Sequence, residues 1–141
     1  GGSGGGRACI LGNVDKALAE NALASIIAGS TASHADVHGL CAVTTAGELC
    51  GTAMHLVYDG DCSTLKPIQD ITIGSSLCFQ DRSITVEKIY KAQRDAFNFY
   101  TVSGSYVYNG FKVSHHGSEP WSRNKILNRF YYTLRYYGVL A

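Results

Sequence analysis

No apolar run in this 141-residue chain is long enough to span a bilayer, and no signal-peptide pattern opens it. A soluble piece, cut from a longer precursor, is the expectation. The five cysteines (Cys9, Cys41, Cys50, Cys62, Cys78) lack the paired short spacings of tetrahedral zinc sites. Their odd number leaves at least one outside any bridge within the chain. The other four can form up to two bridges in an oxidising compartment, and spacing alone does not choose between pairings. A phosphate-cradling glycine loop is missing too, because Gly1 to Gly6 follows no strand. That stretch reads as a linker or a flanking remnant and is set aside from the fold.

Charge of either sign is sparse, with a net charge of +1, but it is unevenly placed. Residues 1–61 carry two Lys/Arg against six Asp/Glu, and residues 112–141 carry five against one. The basic end is the expected contact for anionic partners or a membrane surface. Without a concentrated basic stripe elsewhere, nucleic-acid binding is not expected.

The length suits one domain with its own core. After Cys9, Val14, Leu18, Ala22 and Ile26 recur four apart, which fits a helix over Val14 to Ile27. Two short strands fit the same stretch, since Gly29, Ser30 and Thr31 punctuate it as a turn would. Both readings stay open. From Leu40 onward the signals are β: Leu40 to Thr45, Leu49 to Val57, Ile71 to Ile73, Ile84 to Tyr90, Phe97 to Val102 and Tyr106 to Val113 are short and rich in β-branched and aromatic residues. Asp59 to Asp61 reads as a loop and Asn109-Gly110 as a hairpin turn. The sum of these signals is an all-β body. Ala28 to Ala32 echoes Ile73 to Leu77, and Thr44 to Gly47 before His55 echoes Thr101 to Gly104 before His115, a pattern that suggests a pseudo-twofold fold or recurs by chance among small residues. At the C-terminal end, Ile126, Phe130, Leu134 and Tyr137 recur at helical spacing among Lys125, Arg129 and Arg135, predicting an amphipathic helix that packs on the core or contacts lipid.

The most informative local pattern is Thr52-Ala53-Met54-His55, with Cys9 upstream. A threonine and a histidine three positions apart, where a chain turns out of a strand, can face one backbone amide, the hydroxyl polarising it and the imidazole protonating its nitrogen. With Cys9 as nucleophile, that is self-cleavage chemistry.

Gly47 to His55, ending in Thr-x-x-His, resembles a block of the hedgehog/intein (Hint) autoprocessing family, and of the C-terminal autoprocessing domains of hedgehog-type proteins in particular. Lys66 to Gly74 is similar to the family's I-x-x-I-x-x-G segment, and Gly104 to Ser114 to its last core strands. The tail from Trp121 to Tyr137 is similar to the segment beyond the core in hedgehog-type domains. The resemblance implies a compact, pseudo-twofold Hint-like β domain over residues 9–121, a flanking remnant over 1–8 and a helical tail over 122–141. It also implies that Cys9 attacks the carbonyl of Ala8 in an N-to-S acyl shift, with Thr52 and His55 activating the amide. The thioester then passes to a sterol, a thiol or water. The substrate is the chain's own N-terminal flank, no cofactor or metal is required, the tail is a peripheral membrane contact, and the setting is secretory or extracellular if the hedgehog likeness holds. Asp36, the one carboxylate between Gly29 and Leu40, is assigned to activating the acceptor. His115 or His116 supplies a base. Ser114-His115-His116 stands where inteins have His-Asn, so cleavage rather than splicing is expected.

Other readings use the same residues. His34 and His38 around Asp36 fit a solvated loop better than a metal site. Thr52 to His55 is also similar to the histidine block of chymotrypsin-like proteases, with Ser103 as nucleophile, although 48 residues between His55 and Ser103 are few for that fold. A non-catalytic β module binding protein or lipid through its tail is the third reading.

Overall fold

A computed structural model describes residues 8–118, and every structural statement below concerns those residues. They form ten strands, one α-helix and one 3-10 turn. The strands are β1 (Ile10–Leu11), β2 (Ala32–Thr44), β3 (Gly47–Gly51), β4 (His55–Tyr58), β5 (Leu65–Pro67), β6 (Ser76–Phe79), β7 (Arg82–Thr85), β8 (Lys88–Asn98), β9 (Ser105–Tyr108) and β10 (Phe111–Gly117). β1, β3, β2 and β8 close into a small barrel. The rest form a six-stranded sheet in the order β5-β4-β10-β6-β7, with β9 also pairing to β10. The all-β expectation therefore holds. The amphipathic helix expected over Ile126 to Tyr137 lies outside the described residues.

The stretch after Cys9 resolves into both of its readings. Asn13 caps α1 (Val14–Glu20) by accepting the Lys16 N–H at 2.9 Å. The helix stops after seven residues because Asn21 turns its side chain to β9, donating to Val107 O and accepting from Val107 N–H. The chain then extends, and Ile26 bridges Thr101 as a short strand would.

The expected strand Leu49 to Val57 is broken in two: Thr52 O accepts the His55 N–H at 3.1 Å, a tight turn that ends β3 and begins β4. Ile71 to Ile73 is not a strand. A 3-10 turn at Ile68–Asp70 precedes it, and Ile73 is exposed. β2 begins well before Leu40, since its polar first half pairs with β8, and a register shift between His34 and Val37 accommodates the extra residues. Asn109 and Gly110 both take positive φ, as a type I′ hairpin turn requires, joining β9 to β10.

Two disulfides form, Cys41–Cys50 between directly opposed residues of β2 and β3, and Cys62–Cys78 between the Asp59 to Asp61 loop region and β6. The second closes a 16-residue separation, for which loop-closure entropy gives roughly 3 kcal/mol of stabilisation. Cys9 stands outside both. The larger core gathers Phe97 of β8, Phe99 just beyond it, Tyr106 and Tyr108 of β9 and Phe111 of β10; the first four meet in tilted contacts with centroids 5.1 to 6.2 Å apart, and Phe111 meets Phe79 edge-on at 5.1 Å. A smaller cluster packs Cys9 and Leu11 with Val37, Ala96 and the Cys41–Cys50 bridge.

Candidate functional site

Both ends of the described chain meet at the Thr52–His55 turn. Antiparallel pairing of Ile10 with Gly51 brings Cys9 opposite Thr52, and the two residues bond reciprocally. Thr52 N–H donates to Cys9 O at 2.9 Å, and Cys9 N–H donates to Thr52 Oγ1 at 3.0 Å. Gly51 is needed for this approach, because a Cβ there would strike the Ile68 side chain and press on the Cys9 carbonyl. From the other end, Ser118 N–H donates to Met54 O at 2.8 Å.

His55 is fully buried at the start of β4. Its Nε2 lies 2.8 Å from Ser114 O, a carbonyl that can only accept, so Nε2 carries the proton. Nδ1 is left buried without a hydrogen bond of normal geometry. The Ala8 backbone is close enough to favour the charged form of the ring. Burial dominates, however. It lowers the His55 pKa to about 4, opposed by the Ser114 and Ala8 backbone groups and reinforced by the nearby His115 and His116. At neutral pH His55 is therefore an uncharged imidazole. Thr52 and His55 thus bracket one peptide bond, between Ala8 and Cys9, with the hydroxyl on its nitrogen and the ring near its acyl side.

His115 and His116 sit on β10 and are handled differently. His115 Nδ1 accepts the Thr101 N–H at 3.0 Å, which places the His115 proton on Nε2, 2.9 Å from His116 Nε2. Tyr100 packs its ring against both, with centroids 4.9 Å and 6.3 Å away.

Asp36 belongs to β2, next to Val37, which packs in the cluster that holds Cys9. It is exposed at the β2 irregularity with φ 54°, and its carbonyl accepts from Gln93 Nε2 at 3.5 Å. His34 and His38 flank it on the same irregular stretch. Metal-ligating atoms do gather at Cys41, Glu48 and Cys50, but two of these are spent in the disulfide and Glu48 is held by Tyr90 and Arg94. Ser103 is exposed in a turn, its hydroxyl donating to Ser105 O at 3.1 Å. The sealed His55 ring is engaged with Ser114 instead, so a Ser103–His55 pair of the protease kind is not formed.

Two residues not singled out in the sequence complete the surroundings. Asn98 ends β8 one step beyond the Ile10–Phe97 pair, opposite Cys9, and Tyr106 donates to its Oδ1 at 2.7 Å. Both are buried. Burial, and then Cys9 nearby, push the Tyr106 phenol well above its ordinary pKa, which keeps it neutral. The only local signal was a polar side chain inside the apolar run Ala96 to Tyr100.

This architecture is the hedgehog/intein (Hint) fold of inteins. It superposes on the VidaL intein with a TM-score of 0.54 at 14% identity, covering 64% of this chain and 63% of that one. For the G-1F mutant of the Ssp DnaB mini-intein variant M86 the TM-score is 0.53 at 12% identity, with 61% and 68% covered. For the bacterial intein-like domain from Clostridium thermocellum it is 0.50 at 16%, with 60% and 66% covered. The chain spans 63% of the length of the VidaL intein, and at such identities the likeness is one of fold. No family model matches the chain, and no curated protein matches its sequence.

Proposed function

We propose that this domain cleaves the peptide bond between Ala8 and Cys9 in its own chain through a thioester. The observation that carries the reading is the pairing of Cys9 N–H with Thr52 Oγ1 beside a sealed, neutral His55. Cys9 Sγ attacks the Ala8 carbonyl carbon while the thiol proton passes to His55 Nδ1. The resulting imidazolium sits where burial disfavours its charge, so it is a strong acid toward the Cys9 nitrogen. As it gives up that proton the C–N bond breaks, leaving Ala8 as a thioester on Cys9 and a free amino group. Thr52 Oγ1 holds the departing nitrogen in register throughout. Ser114 O keeps the other ring nitrogen protonated, so that Nδ1 is the atom that works.

The acceptor is water or a thiol. A sterol acceptor and a lipid-contacting role for residues 122–141 extend this through the hedgehog likeness, and a carboxylate role for Asp36 in activating the acceptor belongs to the same extension. His115 serves as a second base on β10 only if it gives up its bonds to the Thr101 N–H and to His116. With no asparagine at Ser114 to His116, the reaction ends at cleavage.

A folded tag placed before Ala8 tests the proposal. Hydroxylamine is expected to release the tag from the wild-type chain and not from Cys9→Ala. Equal release from both overturns it, and release blocked by Ser103→Ala instead restores the protease reading. A folded domain that releases nothing is the non-catalytic module.

A further inference from the structure

β10 departs from regular pairing between Val113 and Gly117, and at that irregularity two successive carbonyls are taken by buried side chains. Ser114 O receives His55 Nε2 at 2.8 Å, and His115 O receives Asn98 Nδ2 at 3.0 Å. Asn98 cannot flip without loss, because Tyr106 donates to its Oδ1 and the His115 carbonyl can only accept. Two further bonds brace the same turn of chain, His116 N–H to Ser114 Oγ at 3.0 Å and His115 N–H to Gly104 O at 3.0 Å. Asn98 therefore ties the strand position opposite Cys9 to the carbonyl adjacent to the one that holds His55.

We propose that Asn98, oriented by Tyr106, is a positioning residue for His55: by pinning His115 O it holds β10 in the shape that presents Ser114 O to His55 Nε2, leaving Nδ1 to face the Ala8–Cys9 peptide. Asn98 moves no proton itself. Its effect is on which ring nitrogen carries one. A neutral imidazole whose Nε2 loses its acceptor is free to move its proton to Nδ1, and it then has no lone pair for the Cys9 thiol proton. This inference rests on the cleavage mechanism for its consequence, but its physical content concerns His55 alone.

Nitrogen-15 NMR of the His55 ring separates the two. In the wild-type chain a single Nε2–H tautomer is expected, with titration well below that of an ordinary histidine. The other groups that titrate around it are His115 and His116 on β10 and Cys9 just before β1, and the ring shifts of His55 itself distinguish it from them. Asn98→Leu, near in volume, is expected to give a tautomer mixture and a His55 titration moved further down, because the Ser114 carbonyl that favours the charged ring is no longer held against Nε2. Hydroxylamine release should fall about tenfold, as expected for losing one buried hydrogen bond that orients a working group. Tyr106→Phe keeps the packing and should produce the same changes in weaker form, about threefold in release. If Asn98→Leu does not fold, Tyr106→Phe decides. An unchanged His55 tautomer and titration in the folded variants overturns the proposal even if cleavage slows, because a merely structural role would slow cleavage without moving the ring proton. Failure of the wild-type chain to release any tag would overturn the cleavage reading and leave the tautomer measurement to decide this one.

Discussion

The two histidine-bearing strands at the site differ in what their rings have left to offer. On β4, His55 is sealed from water and held at one nitrogen by Ser114 O, with the other left without a hydrogen bond and the Ala8 backbone close to the ring. On β10, His115 and His116 bond to each other and to Thr101, at the edge of Tyr100. A ring already committed at both nitrogens orders a strand, whereas a ring with one nitrogen left without a hydrogen bond keeps a site for a proton that burial makes it quick to give up again. Proximity to a site is therefore a poor guide to a histidine's role. What decides is the inventory of its hydrogen bonds, and on that inventory the proposed chemistry is assigned to the β3–β4 turn.

Substitutions that test the contrast fall in order of expected effect. Cys9→Ala should abolish hydroxylamine-induced release altogether, read by gel shift of the tag. His55→Ala should slow it by roughly 10²-fold or more, the usual weight of a positioned acid–base group. Residual release near the wild-type rate would place the chemistry elsewhere.

The contrast also has a signature in stability. Folding lowers the His55 pKa from its ordinary 6.5 to about 4, so between those values the unfolded chain binds a proton that the folded one does not. Stability is therefore full above pH 6.5 and falls as pH drops toward 4, by roughly 3 kcal/mol in total at this one residue. Urea denaturation of the wild-type chain and of His55→Gln at pH 7 and pH 4.5 measures it. The variant should lose much of the difference between the two pH values.

Smaller effects sharpen the picture. Thr52→Val keeps the shape and removes the acceptor for Cys9 N–H, and release should slow about tenfold. His116→Gln should change release by no more than about twofold, since losing one contact in the β10 pair leaves the Thr101–His115 bond in place. A large loss there would give the second histidine strand a chemical part after all.

What could be read from residue order is what local geometry determines. Thr52 and His55 were legible because both sit on one tight turn, as were Asn109-Gly110 and the β character of the chain from Leu40. What was not legible depends on register between distant strands. The 43 residues between Cys9 and Thr52 give no hint of their reciprocal bonds, nor does anything near Asn98 announce that β8 delivers it opposite Cys9. The run Leu49 to Val57 reads as one strand because apolar residues line both sides of a turn whose ends, Thr52 and His55, are buried. Asp36 stands out in the sequence only as the one carboxylate between Gly29 and Leu40, and in the structure it sits on an exposed irregularity of β2, where a positive φ is tolerated.

The bond before Cys9 is the one proposed to exchange for a thioester. Mass spectrometry of the fragment freed by hydroxylamine from a tagged chain tests it most directly. The account predicts a tag ending in the hydroxamate of Ala8 and a domain beginning with an unmodified Cys9. A fragment ending at any other residue, or the same fragment from Cys9→Ala, would contradict it.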